Sequence, residues 1–122
     1  MKEYTLVKLK EPYNIMNQKY PKLLNFFKDG YQSTNPFHQQ QYHILLEEVE
    51  NYNQVVENTF SDRKDYRKQD NLHCVKNEIT KEICILIIKR YQIIAKCDRI
   101  TNVLVDTLLK YDPNLVILNK EL

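Results

Sequence analysis

Glycine is almost missing from this chain, with Gly30 the single copy among 122 residues. A glycine-rich phosphate loop is therefore excluded, and with it the mononucleotide and dinucleotide fingerprints that depend on one. Neither glycine nor proline occurs between Pro36 and Pro113. Hairpin turns usually recruit Gly, Asn-Gly or Asp-Gly, so this interval predicts long helices rather than a multistranded sheet. Serine is confined to Ser33 and Ser61, both near expected element boundaries, where capping or turn formation explains them better than nucleophilic attack. Cysteine is limited to Cys74, Cys84 and Cys97. Three thiols cannot all pair within one chain, and free cysteines in apolar stretches act as small hydrophobes, so a reducing intracellular compartment is expected.

Metal and membrane signatures are also lacking. His38 and His43 are five residues apart, there is no HExxH and no CxxC, and His73, Cys74 and Cys84 lack the spacing of a zinc site. No metal or other cofactor is expected, and a Cys74–His73 enzyme is the least favoured reading; the protein is expected not to be an enzyme. The start, MKEYTLVKLKEPY, carries Glu3 and recurring lysines where a signal peptide needs an unbroken apolar core. A membrane-spanning helix needs ~20 mostly apolar residues, whereas the run from Ile83 to Ala95 is broken by Lys89, Arg90 and Gln92. No membrane association is expected.

What is present is globular: 43% hydrophobic and 28% charged residues, enough for a core and too apolar for disorder. The net charge of +2 argues against a strong general pull toward nucleic acid. It is unevenly spread, because lysines dominate residues 1–35 while Glu47, Glu48, Glu50 and Glu57 are unopposed in residues 36–60. Such an acidic surface suits docking onto basic parts of another protein.

Helix boundaries are legible in chemical terms. Pro21 and Gly30 bracket a short helix with Leu23, Leu24, Phe26 and Phe27 on it, and Asn35–Pro36 suits the start of another. Along that second helix Tyr42, Leu45, Val49, Tyr52 and Val56 recur at three- and four-residue intervals, with Phe60 one turn on. Residues 61–71 read as a solvated connection. From Leu72 the apolar spacing resumes through Val75, Ile79, Ile83 and Leu86 or Ile87, then Ile94, Cys97 and onward to Tyr111, either as one continuous helix or with a break near CDRITN, where Thr101 or Asn102 would cap a separate last helix. The segment EITKEICILIIKRYQIIAKC, residues 78–97, is the most apolar. Its β-branched residues would suit a buried strand, but no turn residue brackets it and its neighbours keep helical register. It is assigned to a helix apolar nearly all round, hence central or covered by a partner.

The expected fold is all-α: one domain over 1–122, a small bundle of about four helices around one long, nearly all-apolar central helix, with 1–18 and 113–122 peripheral. Other protein subunits are the expected partners, in a hetero-oligomer. The candidate interface is Leu45, Val49, Tyr52 and Val56 on the acidic helix with Ile83, Ile87, Tyr91 and Ile94 on the central one. Nine tyrosines fit such a role, since aromatic side chains with a polar tip suit interfaces as well as cores. A competing reading is nucleic-acid binding through Arg63, Lys64, Tyr66, Arg67 and Lys68, which combine phosphate neutralisation with stacking, diluted by Asp62, Asp65 and Asp70.

The order PKLLNFFKDG, NPFHQQQYHILLEEVENY, a polar loop at 61–71 and HCVKNEITKEICILIIKRYQIIAKC resembles the helical domain of the GINS replication-complex family, in its first "partner of Sld-five" branch. The resemblance covers roughly residues 20–97. It implies a non-catalytic subunit of a heterotetramer that joins the MCM ring in the replicative helicase, and therefore a nuclear location. No counterpart of that family's small C-terminal β-domain is expected within these 122 residues.

Overall fold

A computed structural model describes residues 1–11 and 44–118. The short helix at 21–29 and the helix start at Asn35–Pro36 lie outside the described residues.

The described part is built on an antiparallel sheet, not on a helical bundle. Its elements are β1 (Lys2–Lys8), α1 (Tyr52–Phe60), β2 (Tyr66–Gln69), β3 (Leu72–Lys76), β4 (Ile83–Ile88), β5 (Ile93–Cys97), α2 (Val103–Tyr111) and β6 (Leu115–Ile117). Spatially the strands run β2-β3-β4-β5-β1-β6. Strands β2 to β5 form a meander, and β1 closes it by pairing with β5 through Leu6↔Ile93 and with β6 through Val7↔Val116. An antiparallel bridge, Leu9↔Leu46, extends β1 past the end of β5.

Strand periodicity divides the sheet residues into two sets. His73 and Val75, Cys84, Leu86 and Ile88, Ile93, Ala95 and Cys97, and Tyr4 and Leu6 all point to one face, where they are buried. Helix α1 lays Tyr52, Val56 and Phe60, spaced one turn apart, onto this face. Helix α2 adds Leu104, Val105 and Leu108 to the same core. Its start is fixed by Asn102, whose Oδ1 accepts from the Val105 amide at 3.0 Å, with Asp106 in the first turn and Lys110 in the last to match the helix dipole. A second, smaller cluster of Val7, Leu9, Leu46 and Leu118 sits on the opposite face at the β1–β6 end.

The all-α expectation, its bundle of about four helices and its long central helix are overturned by this sheet. Residues 72–97 are β3, β4 and β5, so the long helix on which the GINS resemblance leaned is three strands. Among the described residues the predicted helix over 36–60 is interrupted: Ile44 is helical, Leu46 is in the bridge to Leu9, and α1 starts only at Tyr52. The misreading has two physical causes. Strands apolar on both faces show no alternation, and a four-residue spacing such as Ile83–Ile87 is even, so it marks one face of a strand as well as one face of a helix. The turns, moreover, work without glycine. Asp70 takes φ 53° in the β2–β3 hairpin and Lys81 takes φ 64° before β4, a left-handed conformation that Asp and Asn adopt more readily than most residues.

Candidate functional site

Three groups of polar side chains and one apolar surface have the makings of a site. The first group ties the ends of the molecule together. Tyr52 donates its hydroxyl hydrogen bond to Asp112 Oδ2, and Lys8 Nζ lies 3.0 Å from the same oxygen and 3.4 Å from Glu47. Asp112 is 7% exposed. Burial by itself would push its carboxyl up, but hydrogen bonds from Tyr52, Lys8 and the Asn114 amide outweigh it and hold the group below the usual carboxylate range. Burial and the neighbouring carboxylate push the Tyr52 phenol up, and the hydrogen bond to Asp112 pushes the Lys8 ammonium up. The trio is thereby held as one anion, one cation and one neutral donor. Each group is engaged within the chain.

The second group is a relay under the sheet. His73 is fully buried; its Nδ1 is 2.7 Å from the Tyr66 hydroxyl and its Nε2 is 2.8 Å from Asn53 Oδ1. An amide oxygen only accepts, so Nε2 carries the proton and Nδ1 accepts from Tyr66. Burial lowers the imidazole below its ordinary range, with Lys68 adding to the effect and Glu57 opposing it. A neutral ring with both nitrogens committed has no lone pair to offer a substrate.

The third group surrounds a cleft of about 280 Å³ at the end of the sheet where β4 begins and β5 ends. Cys84 and Cys97 line it. At its rim Arg63 grips Asp65 through two bonds of 2.9 and 2.6 Å, and Arg99 meets Glu82 at 2.8 Å. The Arg63 guanidinium holds the Asp65 carboxyl below its ordinary range. Asn77 shapes the neighbouring β3–β4 loop by accepting from the Ile79 and Thr80 amides, which leaves Ile79 92% exposed. Among the described residues no group of three or more His, Cys, Asp or Glu side chains is placed to hold a metal ion, and no helix is long and apolar enough to cross a membrane.

The apolar surface is the second face of the meander. Leu72 and Cys74 of β3, Ile83, Ile85 and Ile87 of β4 and Ile94 of β5 share it by register, with Ile87 directly across from Ile94 and Cys74 from Ile85. All six are half-buried. Helices α1 and α2 pack on the other face. Charged side chains frame the patch, with Arg67 opposite Cys74 and Lys96 opposite Ile85.

The expected interface residues are divided by this arrangement. Val49, Tyr52 and Val56 lie inside the core of this chain at 0–2% exposure, where packing has already used their surface. Leu45 and Tyr91 flank the second cluster, and the Arg90 guanidinium lies 5.2 Å from the centre of the Tyr91 ring. Ile83, Ile87 and Ile94 are brought together on the second face, joined by Leu72, Cys74 and Ile85, which were outside the expected set; the two-residue spacing of Ile85 from Ile83 and Ile87 was a usable signal, whereas Leu72 and Cys74 reach the face only through the β3–β4 register. The acidic segment finds much of its basic complement within the chain, as Glu47 meets Lys8, Glu48 meets Arg90 and Glu57 meets Lys68.

The basic residues are likewise engaged. Arg63 is held by Asp65, Lys68 by Glu57, and Arg67 donates to the carbonyls of Lys64 and Tyr66. Lys64 is exposed. The Tyr66 ring is 8% exposed and lies between Phe60 and His73, with centroids 5.9 and 6.0 Å away. No family model matches the chain, and no curated protein matches it either.

Proposed function

We propose that this chain is a non-catalytic assembly module that binds another protein through the second face of its β3–β4–β5 meander. The observation that carries this reading is the patch of Leu72, Cys74, Ile83, Ile85, Ile87 and Ile94, an apolar surface on the side of the sheet away from α1 and α2. Contiguous apolar surface rimmed by charge is the ordinary composition of a protein-binding surface. The polar clusters support the same reading, since His73, Tyr52, Asp112 and Lys8 each spend their hydrogen-bonding capacity inside the chain. Nucleic-acid binding gains nothing from residues 63–68, where the aromatic ring is packed and two of the four cations are paired with carboxylates. Membership of a replication complex gains nothing from residues 72–97 once they are strands.

The test compares wild type with Ile87→Lys in copurification from the native source, alongside thermal melting of each isolated chain. The reading expects a stoichiometric protein partner that the variant loses, while the isolated variant melts within a few degrees of wild type. If the isolated Ile87→Lys chain unfolds, the patch is covered within the chain itself and the reading fails. Retention of the partner by a folded variant overturns it equally.

A further inference from the structure

Cys84 is the second residue of β4 and Cys97 the last of β5, and they face each other in register. The hydrogen-bond pattern fixes what kind of pair they form. Along β4 the even residues bond toward β3: the Asn77 amide donates to Glu82 O at 2.9 Å and the Ile88 amide to Asn71 O at 3.0 Å. Odd residues bond toward β5, as the Lys89 amide does to Gln92 O at 2.8 Å. Cys84 is even, so toward β5 it occupies a non-hydrogen-bonded site. There the Cα atoms approach to ~4.5 Å with their side chains at closest range, inside the window of roughly 4.4–6.8 Å that a disulfide spans. Both thiols lie on the helix-covered face and both line the cleft. Cys74 is on the opposite face, across from Ile85, and is not in position to compete.

We propose that Cys84 and Cys97 are a redox-responsive pair that closes into a cross-strand disulfide at the cleft, with a small organic disulfide such as glutathione disulfide as the oxidant. Cys97 acts first, because burial pushes its thiol up less than it pushes that of Cys84. Its thiolate attacks one sulfur of the reagent, the reagent's S–S bond breaks, and one reagent thiolate leaves and takes up a proton. Cys84 then loses its proton to solvent and attacks the Cys97 sulfur, expelling the second reagent thiolate. Two protein thiols give up two electrons and two protons, and one reagent disulfide becomes two free thiols. Burial pushes both protein thiols up, more strongly at Cys84, so closure is slow at neutral pH and accelerates as pH rises.

The test exposes the full chain to glutathione disulfide at about pH 8.5, where an ordinary thiol is half ionised, then maps peptides without reduction. The expected product joins Cys84 to Cys97 with the loss of two hydrogens, forms equally in Cys74→Ser, and raises the melting temperature by roughly 10 °C in a way a dithiol reverses. Cys84→Ser retains a stable glutathione adduct on Cys97 instead. A link through Cys74, no link after prolonged exposure, or a link that lowers the melting temperature overturns the proposal.

Discussion

Tyr52 and Asp112 are sixty residues apart in sequence and share a buried hydrogen bond that joins the first turn of α1 to the residue that ends α2. Lys8 of β1 binds the same carboxylate, so three segments far apart in the chain converge on one oxygen. Tyr52→Phe removes one donor and leaves Asp112 paired with Lys8, and is expected to cost roughly 1–2 kcal/mol. Asp112→Ala strands the buried phenol hydroxyl and is expected to cost more, roughly 2–3 kcal/mol. Urea unfolding of the two variants measures the order. The Asp112 carboxyl is held below its unfolded value, so its contribution is present above about pH 4 and is lost as pH falls through the folded value. Asp112→Asn flattens that acid limb.

A different pH window belongs to His73. Burial depresses its folded value below the ordinary imidazole range, so between the two values the unfolded chain binds the extra proton. Stability is then complete above about pH 6.5 and declines as pH falls below it, levelling off beneath the folded value. His73→Phe removes this limb while leaving the buried Tyr66 hydroxyl and Asn53 without their partner, at a cost of roughly 1–3 kcal/mol at neutral pH. The check is the urea midpoint measured from pH 8 to about pH 5 for both proteins. A wild-type midpoint flat across that range would show that the ring is already as easily protonated as in the unfolded chain.

The turns carry a prediction that bears directly on why the sheet was hidden in the sequence. Lys81 occupies φ 64°, a region costing an ordinary residue roughly 1–2 kcal/mol. Lys81→Gly is expected to stabilise the protein by up to ~1 kcal/mol, the relief of strain being offset in part by the greater freedom of the unfolded chain. Asp70→Gly is expected to change stability less, since aspartate tolerates its φ of 53°. The order of the two midpoints decides the matter.

Those residues explain what could and could not be read in advance. Absence of glycine and proline is not absence of turns: Asp70–Asn71 makes a two-residue hairpin whose Asn71 side chain also donates to Ile88 O at 3.0 Å. A turn needs a permitted dihedral and a satisfied backbone, and asparagine and aspartate supply both. A cap at Thr101 or Asn102 was legible as one alternative because capping is local, and the structure takes Asn102. The pairing of β1 between β5 and β6 was not, because it joins residues more than eighty positions apart and leaves no short-range signature. Of the proposed docking patch, Ile83, Ile87 and Ile94 were legible as apolar positions, but their common surface depends on strand register, which only the paired neighbours determine.

Register also supplies the sharpest test of that surface. Leu86 and Ile87 are adjacent, yet Leu86 is fully buried under the helices and Ile87 lies half-exposed on the other face. Leu86→Ala opens a cavity in the core and is expected to cost roughly 2–5 kcal/mol. Ile87→Ala is expected to cost less, in proportion to the smaller area it withdraws from packing, on the order of 1 kcal/mol. A slip of one residue in β4 would exchange the two faces and invert the order. Chemical denaturation of the pair therefore tests the sheet itself: a larger loss for Ile87→Ala would move the core to the face proposed for docking, and the assembly reading would fall with it.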